Sequence, residues 1–359
     1  MSTKECIVNR FDHIEITTQD LSTLEKLFER LGFRTTQAKE SDVGKQHLMT
    51  QGRIRMLLTQ GTDGTYQKEY FTKHGEGVCS LGYHVESAKK TLNKLKERGA
   101  NIIEEHSEED DGVVRLHKGA ISSFGDVRAT FVTRSGAPFD PAAPFAPGFK
   151  TVGDVEPDKD INLLQIDHLT NNVDMGEMET WATFYKDVYG WEEVRHFNIK
   201  ASQTGLKSKV LQSTDGACKI PINESTEKEG QVQEFVDVHK GAGVQHIALT
   251  TNDIYKTVEA LKGRGFKFLK TPHSYYEEVP KRMPNIDEPM DEMENLSILA
   301  DGDDKGYLLQ IFTENQIGPM FFEFIQRKGN NGFGEGNFTA LFEAIERDQI
   351  ERGVLKAKS

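Results

Sequence analysis

Two histidines and one glutamate, His168, His246 and Glu323, have the residue types that could hold a divalent metal ion. Each lies in a short apolar run that predicts a β-strand, and side chains along a strand alternate between its faces. Glu323, in the run FFEFI, therefore shares a face with Phe321 and Ile325. An ionised carboxylate among such neighbours costs free energy unless a cation or several hydrogen-bond donors meet it.

The two histidines suggest which cation that is. His168 shares a strand face with Ile166, and His246 shares one with Ala248, so both imidazoles are expected to face an apolar interior. Two imidazoles and one carboxylate match the facial triad of non-haem Fe(II) oxygenases, which leaves coordination positions open for substrate and dioxygen. The alternative for each histidine is a hydrogen-bonded core residue, and sequence spacing alone leaves that alternative open.

Other candidate groups lack partners in the sequence. His13 has no second ligand in its own half and is interpreted as structural or vestigial. Glu314 ends a predicted strand and is expected to be solvated, and His239, before a Gly-Ala-Gly turn, is expected at the surface. The glycines of GFGEGNF (332–338) lack the spacing of a dinucleotide-binding loop. No Gly-x-Ser-x-Gly elbow supports a hydrolase.

The elements that must position these residues recur in two halves of the chain. A strand with His13 and a strand with His168 are each followed by a predicted helix that ends at a glycine. The runs GVCS (77–80) and GVQH (243–246) also each lead into a helix. This self-similarity indicates a duplicated architecture of four strand–helix–strands units.

The copies differ at the metal-binding positions. Aligned by the repeat, Ser80 takes the place of His246, and Thr130 takes the place of Glu323. Since only His13 remains as a counterpart of a ligand, we expect a metal site in the C-terminal half alone.

Four prolines at three-residue spacing between residues 138 and 147 indicate a semi-rigid connector. We therefore predict a non-catalytic domain over residues 1–137, a connector over 138–160 and a catalytic domain over 161–359. The proline- and acid-rich stretch 271–294 is expected to be irregular and to wrap the second domain.

The C-terminal segment is predicted to form a glycine hinge and a helix that docks inward. A glycine-rich turn at 332–336 leads to Asn337, a good helix N-cap, and Gly353 can end the helix. The helix has an apolar stripe formed by Phe338, Leu341, Phe342 and Ile345.

Composition narrows the class of protein. A formal charge of −13 and a pI near 5.4 disfavour nucleic acid and anionic membranes as main partners. No apolar run approaches the roughly 20 residues of a membrane helix, and the N-terminus lacks the apolar core of a signal peptide. Three scattered cysteines, Cys6, Cys79 and Cys218, support neither a disulfide framework nor a thiolate zinc site. We expect a cytoplasmic protein.

Four motifs resemble the 4-hydroxyphenylpyruvate dioxygenase family. They are PINES (221–225), GAGVQHIALTTNDI (241–254), LLQIF (308–312) and FFEFIQRKGNNGFGEGNFTALFEAIERDQ (321–349). The resemblance implies an α+β fold of the vicinal-oxygen-chelate type, with two domains of paired βαβββ modules that form open barrels and a C-terminal helix over the site. It also implies conversion of 4-hydroxyphenylpyruvate and O2 to homogentisate and CO2 in a homodimer or homotetramer.

The resemblance further implies Fe(II) held by His168, His246 and Glu323. It implies catalytic roles for Gln310, Phe333 and Asn337. The substrate pocket that it implies consists of Ser208, Pro221, Asn223, Gln231, Gln310, Phe312, Phe321, Phe333, Asn337 and Phe338. The alternatives are a hydroxymandelate synthase on the same substrate, a ring-cleaving extradiol dioxygenase, and a non-catalytic metal-binding member of the fold.

Overall fold

The computed structural model describes residues 4–136, 140, 143–153, 156, 158–200, 205–338, 350 and 353. The strands are β1 (Phe11–Thr17), β2 (Arg34–Ser41), β3 (Gly44–Gln51), β4 (Ile54–Gly61), β5 (Gly77–His84), β6 (Ile102–Asp110), β7 (Arg115–Ser122), β8 (Arg128–Arg134), β9 (Lys150–Thr151), β10 (Leu163–Val173), β11 (Glu192–Lys200), β12 (Gly205–Gln212), β13 (Lys219–Ser225), β14 (Gly243–Thr251), β15 (Leu299–Asp303), β16 (Gly306–Phe312) and β17 (Phe321–Lys328). The helices are α1 (Leu21–Arg30), α2 (Tyr66–His74), α3 (Ala88–Glu97), α4 (Met178–Phe184), α5 (Gln231–His239), α6 (Ile254–Gly263), α7 (His273–Arg282) and α8 (Met290–Leu296). A π-helical turn at Tyr185–Tyr189 continues α4.

Each half of the chain forms one mixed, curled sheet. The first has the strand order β6-β7-β8-β5-β1-β4-β3-β2-β9, and the second has the order β11-β12-β13-β10-β14-β17-β16-β15. Strand β1 pairs parallel with β4 and antiparallel with β5, and β10 pairs in the same way with β13 and β14. The predicted α+β fold of paired βαβββ modules is confirmed.

Strand register confirms the alignment of the two halves. His13 lies opposite Gly82, as His168 lies opposite Ala248. Gly82 in turn pairs with Thr130, as Ala248 pairs with Glu323. Thr130 therefore occupies the position of Glu323, and Ser80, two residues before Gly82, occupies that of His246.

The helices pack outside the sheets and join the halves through one core. Asp20 caps α1 by accepting a hydrogen bond from the backbone N–H of Thr23. The same helix buries Leu24 and Phe28. Phe28 meets Phe322 of β17 edge to face, with ring centroids 5.9 Å apart. A first-half helix thus packs directly behind the strand that carries Glu323. Within the described residues no helix has the length and apolar character needed to span a membrane.

The structure corrects the prediction for residues 271–294, which are largely helical. Pro272 and Pro289 each precede the first residue of a helix, α7 and α8, where the missing N–H costs no hydrogen bond. Tyr276 and Val279 are buried, so α7 has an apolar face despite its charged composition.

The prediction of Asn337 as a helix N-cap is wrong. The helical turn already includes residues 335–338, and the N–H of Asn337 donates to Gly334 O at 2.8 Å. The Asn337 side chain is fully buried and bonds elsewhere. The rest of the predicted apolar stripe, Leu341, Phe342 and Ile345, lies outside the described residues.

Candidate metal centre and its pocket

Three adjacent strands bring His168, His246 and Glu323 together inside the second barrel. Glu323 Oε2 lies 3.1 Å from His168 Nε2 and 3.3 Å from His246 Nε2. Ligand atoms of all three residues lie within 4.8 Å of one another, and all three side chains are buried. The three residues predicted from the sequence therefore meet.

The donor set fits a divalent cation. Ligand atoms about 2.1 Å from a metal and at right angles to each other lie about 3 Å apart, close to the observed separations. Glu323 Oε1 is buried and has no hydrogen-bond partner among the described residues. An unsatisfied carboxylate oxygen costs free energy unless a cation meets it. A metal ion between these side chains would supply that missing partner.

Neighbouring side chains set which ring nitrogen faces the metal position. His168 Nδ1 donates to Asp167 Oδ1 at 2.9 Å, and His246 Nδ1 donates to Gln245 Oε1 at 3.0 Å. With the proton on Nδ1, each Nε2 presents its lone pair toward Glu323.

The protonation equilibria of the three ligands are coupled. Burial opposes protonation of His168, but Glu323 and Asp167 outweigh it and raise the pKa of that imidazole. Burial lowers the pKa of His246, which has no second carboxylate beside it. Burial alone would raise the pKa of Glu323, yet the two imidazoles hold it below its usual value. The site thus favours an ionised carboxylate, the form that binds a cation.

Asp167 links His168 to the loop that follows β17. Arg327 donates to both carboxylate oxygens of Asp167, through Nε and Nη2, each at 2.7 Å. Its Nη1 donates to Asn330 O at 3.0 Å and to Gly332 O at 2.7 Å. This loop places Phe333 edge to face with His168, with centroids 5.7 Å apart. Ligand orientation and loop position therefore depend on the same arginine.

A cavity of about 60 Å³ opens beside the three ligands. Nine of the ten residues that the sequence assigned to the pocket line it, and these are Ser208, Pro221, Asn223, Gln231, Gln310, Phe312, Phe321, Phe333 and Phe338. Asn337 lies behind this wall and contacts Gln310. The cavity thus combines aromatic faces with uncharged amides and hydroxyl groups.

Three polar side chains at this wall form a directed chain of hydrogen bonds. The N–H of Ala300 donates to the Tyr275 hydroxyl at 2.8 Å. Of the two acceptors near that hydroxyl, Asn337 Oδ1 at 2.6 Å is closer than Ala300 O at 2.9 Å, so the hydroxyl donates to Asn337. Asn337 Nδ2 then donates to Gln310 Oε1 at 3.3 Å. Because Gln310 Oε1 is engaged as an acceptor, its Nε2 group is left to donate into the cavity.

Sequence reasoning missed some of the residues that line the cavity. It also did not predict that Tyr275 takes part in this series of hydrogen bonds. Thr170 and Gln245 line the cavity, as do Ile199 and Leu206, which face each other across β11 and β12. Thr170 lies two residues after His168, so strand alternation could have found it. Tyr275 could not have been found, because it reaches the site from α7 through tertiary packing.

The structure also corrects the prediction that His239 lies at the surface, because this residue is only 3% exposed. Its Nε2 lies 3.0 Å from the Tyr70 hydroxyl, and its ring stacks on His74 with centroids 4.5 Å apart. Both partners belong to α2 of the first half. Glu314 is exposed as predicted, and Cys6, Cys79 and Cys218 are free thiols.

Two curled half-barrels with a buried His-His-Glu group open to a cavity define a metal-binding protein of the glyoxalase and dioxygenase superfamily. Residues 165–311 match the family model of the Glyoxalase/Bleomycin resistance protein/Dioxygenase superfamily. Residues 5–138 match the model described as Hydroxyphenylpyruvate dioxygenase, HPPD, N-terminal. The chain belongs to the hydroxyphenylpyruvate dioxygenase family, since it is 40% identical over 355 residues to a 4-hydroxyphenylpyruvate dioxygenase from Legionella pneumophila (strain Corby).

That similarity covers 98% of this chain and 97% of the Legionella protein. A 4-hydroxyphenylpyruvate dioxygenase from Pseudomonas aeruginosa is 39% identical, with 96% of this chain and 95% of that protein covered. Among solved structures, a mutant 4-hydroxymandelate synthase from Streptomyces coelicolor superposes with a TM-score of 0.83 at 25% identity, covering 95% of this chain and 99% of that chain.

Proposed function

We propose that this protein is an Fe(II)-dependent dioxygenase that converts 4-hydroxyphenylpyruvate and O2 to homogentisate and CO2. The observation that carries the proposal is the buried group of His168, His246 and Glu323 beside an aromatic cavity. Near-full-length similarity to two 4-hydroxyphenylpyruvate dioxygenases supports the substrate.

Iron would be held by the two Nε2 atoms and the Glu323 carboxylate. When bound, Fe(II) supplies a Lewis acid for the keto acid and a centre that activates dioxygen. The protein's own contribution at the ligands is orientation, because Asp167 and Gln245 keep both Nδ1 atoms protonated. These side chains hold protons in place and have no need to transfer them.

The pocket residues would bind and orient the substrate. Phe312, Phe321 and Phe338 offer faces and edges for an aromatic ring. The Nε2 group of Gln310 would donate to a substrate oxygen, and Asn337 fixes the orientation of that amide. Asn223 adds a second uncharged amide, so the wall binds polar groups without a charge that competes with the metal site.

The loop after β17 would exclude water from the bound substrate. Phe333 is 4% exposed and packs edge to face with His168. Arg327 holds the loop by its bonds to Asn330 O and Gly332 O. We infer that Phe333 closes the cavity while substrate is present, and that Asn337 supports the wall from behind.

We further infer the domain organisation, the location and the oligomeric state of the protein. The division into a first domain (1–137), a connector (138–160) and a catalytic domain (161–359) follows the duplication and the single ligand set. We propose that the protein is cytoplasmic and that it forms a homodimer or a homotetramer.

The test is iron-dependent oxygen uptake with 4-hydroxyphenylpyruvate, followed by chromatographic identification of the product. We expect one homogentisate and one CO2 for each O2 consumed, and no uptake after chelation. The fold of the Streptomyces 4-hydroxymandelate synthase favours one second candidate, hydroxymandelate synthesis. Hydroxymandelate as the product would establish that alternative. Metal binding without any oxygen uptake would instead indicate a non-catalytic member of the fold.

A further inference from the structure

The first barrel contains a cavity of about 220 Å³ at the position that corresponds to the metal centre of the second. His13, Ser80 and Thr130 line it, and the strand register equates these residues with the three metal ligands. The cavity therefore occupies the position of the metal centre, with different residues at two of the three ligand positions.

The structure that orients the ligand histidine is retained in the first half. His13 Nδ1 donates to Asp12 Oδ2 at 2.7 Å, as His168 does to its own aspartate. Arg134 donates to both oxygens of Asp12, as Arg327 does to Asp167. Phe145 packs edge to face on His13 at a centroid distance of 5.2 Å. A ligand-facing imidazole is thus preserved where a metal site is not.

At the positions of His246 and Glu323, the first half has two hydroxyl groups that hydrogen-bond to each other. Ser80 and Thr130 share a hydrogen bond of 2.9 Å between their hydroxyls. With a single imidazole and two mutually bonded hydroxyls, these three positions lack the donor set of the second-half metal centre, and the residues grouped closely enough to hold a metal in the described chain are His168, His246 and Glu323.

Two charged residues have entered the cavity instead. Glu15 lies opposite Ser80, which is the position of Thr170 opposite His246 in the second half. Arg128 pairs with Ser80, which is the position of Phe321. The first half thus has a glutamate where the second has a threonine, and an arginine where the second has a phenylalanine, on opposite sides of Ser80.

Neither residue forms an ion pair within 4 Å with a described residue. Glu15 is 7% exposed, and its Oε1 accepts bonds from Thr59 Oγ1 at 2.8 Å and Gln67 Nε2 at 3.0 Å. Its carboxylate has no ion pair with any described residue. The Arg128 guanidinium lies over the Tyr66 ring, 3.6 Å from its centroid, and its Nε is buried without a hydrogen-bond partner in the described chain. Glu15 is buried and Arg128 is half-buried. A charge held away from water without a partner is costly, so a ligand that pairs with both would stabilise the site.

The other cationic side chains of the cavity each have a hydrogen-bond or ion-pair partner among the described residues. Lys118 pairs with Glu109 at 2.8 Å, and Lys39 donates to Pro147 O at 2.9 Å. Much of the remaining wall is apolar and belongs to a cluster set apart from the main core. The cluster residues that line the cavity are Leu57, Leu116, Val132, Phe145, Ala146 and Phe149. One carboxylate, one guanidinium and an apolar wall therefore remain for a ligand.

We propose that the first-half cavity binds an α-amino acid with an aromatic side chain, pairing its ammonium group with Glu15 and its carboxylate with Arg128. The side chain of the amino acid packs against Phe145 and Phe149. This inference concerns the first half and does not depend on the reaction proposed for the second.

The test is isothermal titration of the metal-loaded full chain with L-phenylalanine, 3-phenylpropanoate and 2-phenylethylamine. The second probe lacks the ammonium group and the third lacks the carboxylate. L-Phenylalanine is expected to bind at one site per chain, and each analogue roughly tenfold or more weakly, because each leaves Glu15 or Arg128 without an ionic partner. No binding of L-phenylalanine, or equal affinity for all three probes, overturns the proposal without any variant.

Variants then locate the site. Glu15→Gln and Arg128→Met should each weaken L-phenylalanine roughly tenfold or more. Glu105→Gln, at an exposed acid of the same half, should leave the affinity unchanged. Turnover without amino acid should be unaltered by Glu15→Gln, so this test is separate from that of the reaction. Binding lost in Asn223→Ala and kept in Glu15→Gln would place the ligand in the second barrel and contradict the proposal.

Discussion

Asp167 lies behind His168 and accepts, through Oδ1, a hydrogen bond of 2.9 Å from Nδ1 of that imidazole. The equivalent pair in the first half, Asp12 and His13, is just as close at 2.7 Å, although no metal ligands accompany it. The aspartate–histidine pair is therefore part of the fold, and the second half uses it to present Nε2 to a metal.

Replacing Asp167 by asparagine should weaken metal binding. The amide removes the negative charge and can donate to Nδ1, which favours the tautomer with its proton on Nε2. We expect Fe(II) affinity to fall roughly 10- to 100-fold, as measured by competition with a chelator. Asp12→Asn is the matched control and should leave Fe(II) affinity unchanged. An equal loss in both variants would mean that the effect is general destabilisation.

Replacing Tyr275 by phenylalanine should reduce turnover without loss of iron. The hydroxyl fixes Asn337 Oδ1 as an acceptor at 2.6 Å, and Asn337 then orients Gln310. With that bond gone, kcat/KM should fall roughly tenfold, the cost of about one hydrogen bond. Steady-state kinetics with 4-hydroxyphenylpyruvate measure the effect. Tyr276→Phe, next in the sequence and outside this chain of bonds, should keep full activity.

Replacing Gly334 by alanine should disturb the same amide directly. Gly334 has φ +74°, and a Cβ there would lie 1.7 Å from Gln310 Oε1. We expect an increased KM together with a loss of roughly 1–2 kcal/mol in unfolding free energy from the left-handed backbone. Gly99→Ala has the same kind of strain, at φ +91°, with open space around its Cβ. That control should lose stability and keep its KM, and identical kinetics in the two variants would exclude the clash.

The contact between the halves should weaken in mild acid. Burial lowers the pKa of His239 from its ordinary 6.5 to about 4. Because the unfolded chain takes up this proton first, the contribution is complete above pH 6.5 and is lost as pH falls toward 4. Roughly 2 kcal/mol of unfolding free energy should disappear between pH 7 and pH 5 on this account.

Denaturant unfolding at the two pH values measures that loss. His239→Gln should remove most of the difference in unfolding free energy between pH 7 and pH 5. His196→Gln, at a histidine that is about half exposed, should retain that difference. Tyr70, Lys73, His74 and Asp126 surround His239 and are unchanged in both variants. The same pH dependence in His239→Gln and in the unmodified protein would assign it to one of those neighbours.

Local patterns predicted the duplicated architecture and singled out the three candidate ligands, and the family resemblance added the fold class and assigned the ligands to iron. Strand alternation placed Glu323 among phenylalanines, and the repeat set Ser80 and Thr130 against His246 and Glu323. Both inferences depend on spacing within a strand, which a sequence shows directly. The observed register agrees with them residue by residue.

Contacts between distant segments could not be predicted in this way. His239 was expected at the surface because its neighbours in the sequence form a turn, and α2, more than 160 residues earlier, covers it. Asn337 was expected to cap a helix because its residue type favours that position. Its side chain instead forms hydrogen bonds with Tyr275 and Gln310, which belong to other elements.

The most direct test of the account is an anaerobic Fe(II) titration of the unmodified protein and of Glu323→Ala, with oxygen uptake measured on both and circular dichroism as the check on folding. The account predicts one iron per chain and substrate-dependent uptake in the unmodified protein, with neither in the folded variant. Iron and turnover retained in Glu323→Ala, or a second iron bound per unmodified chain, would contradict it.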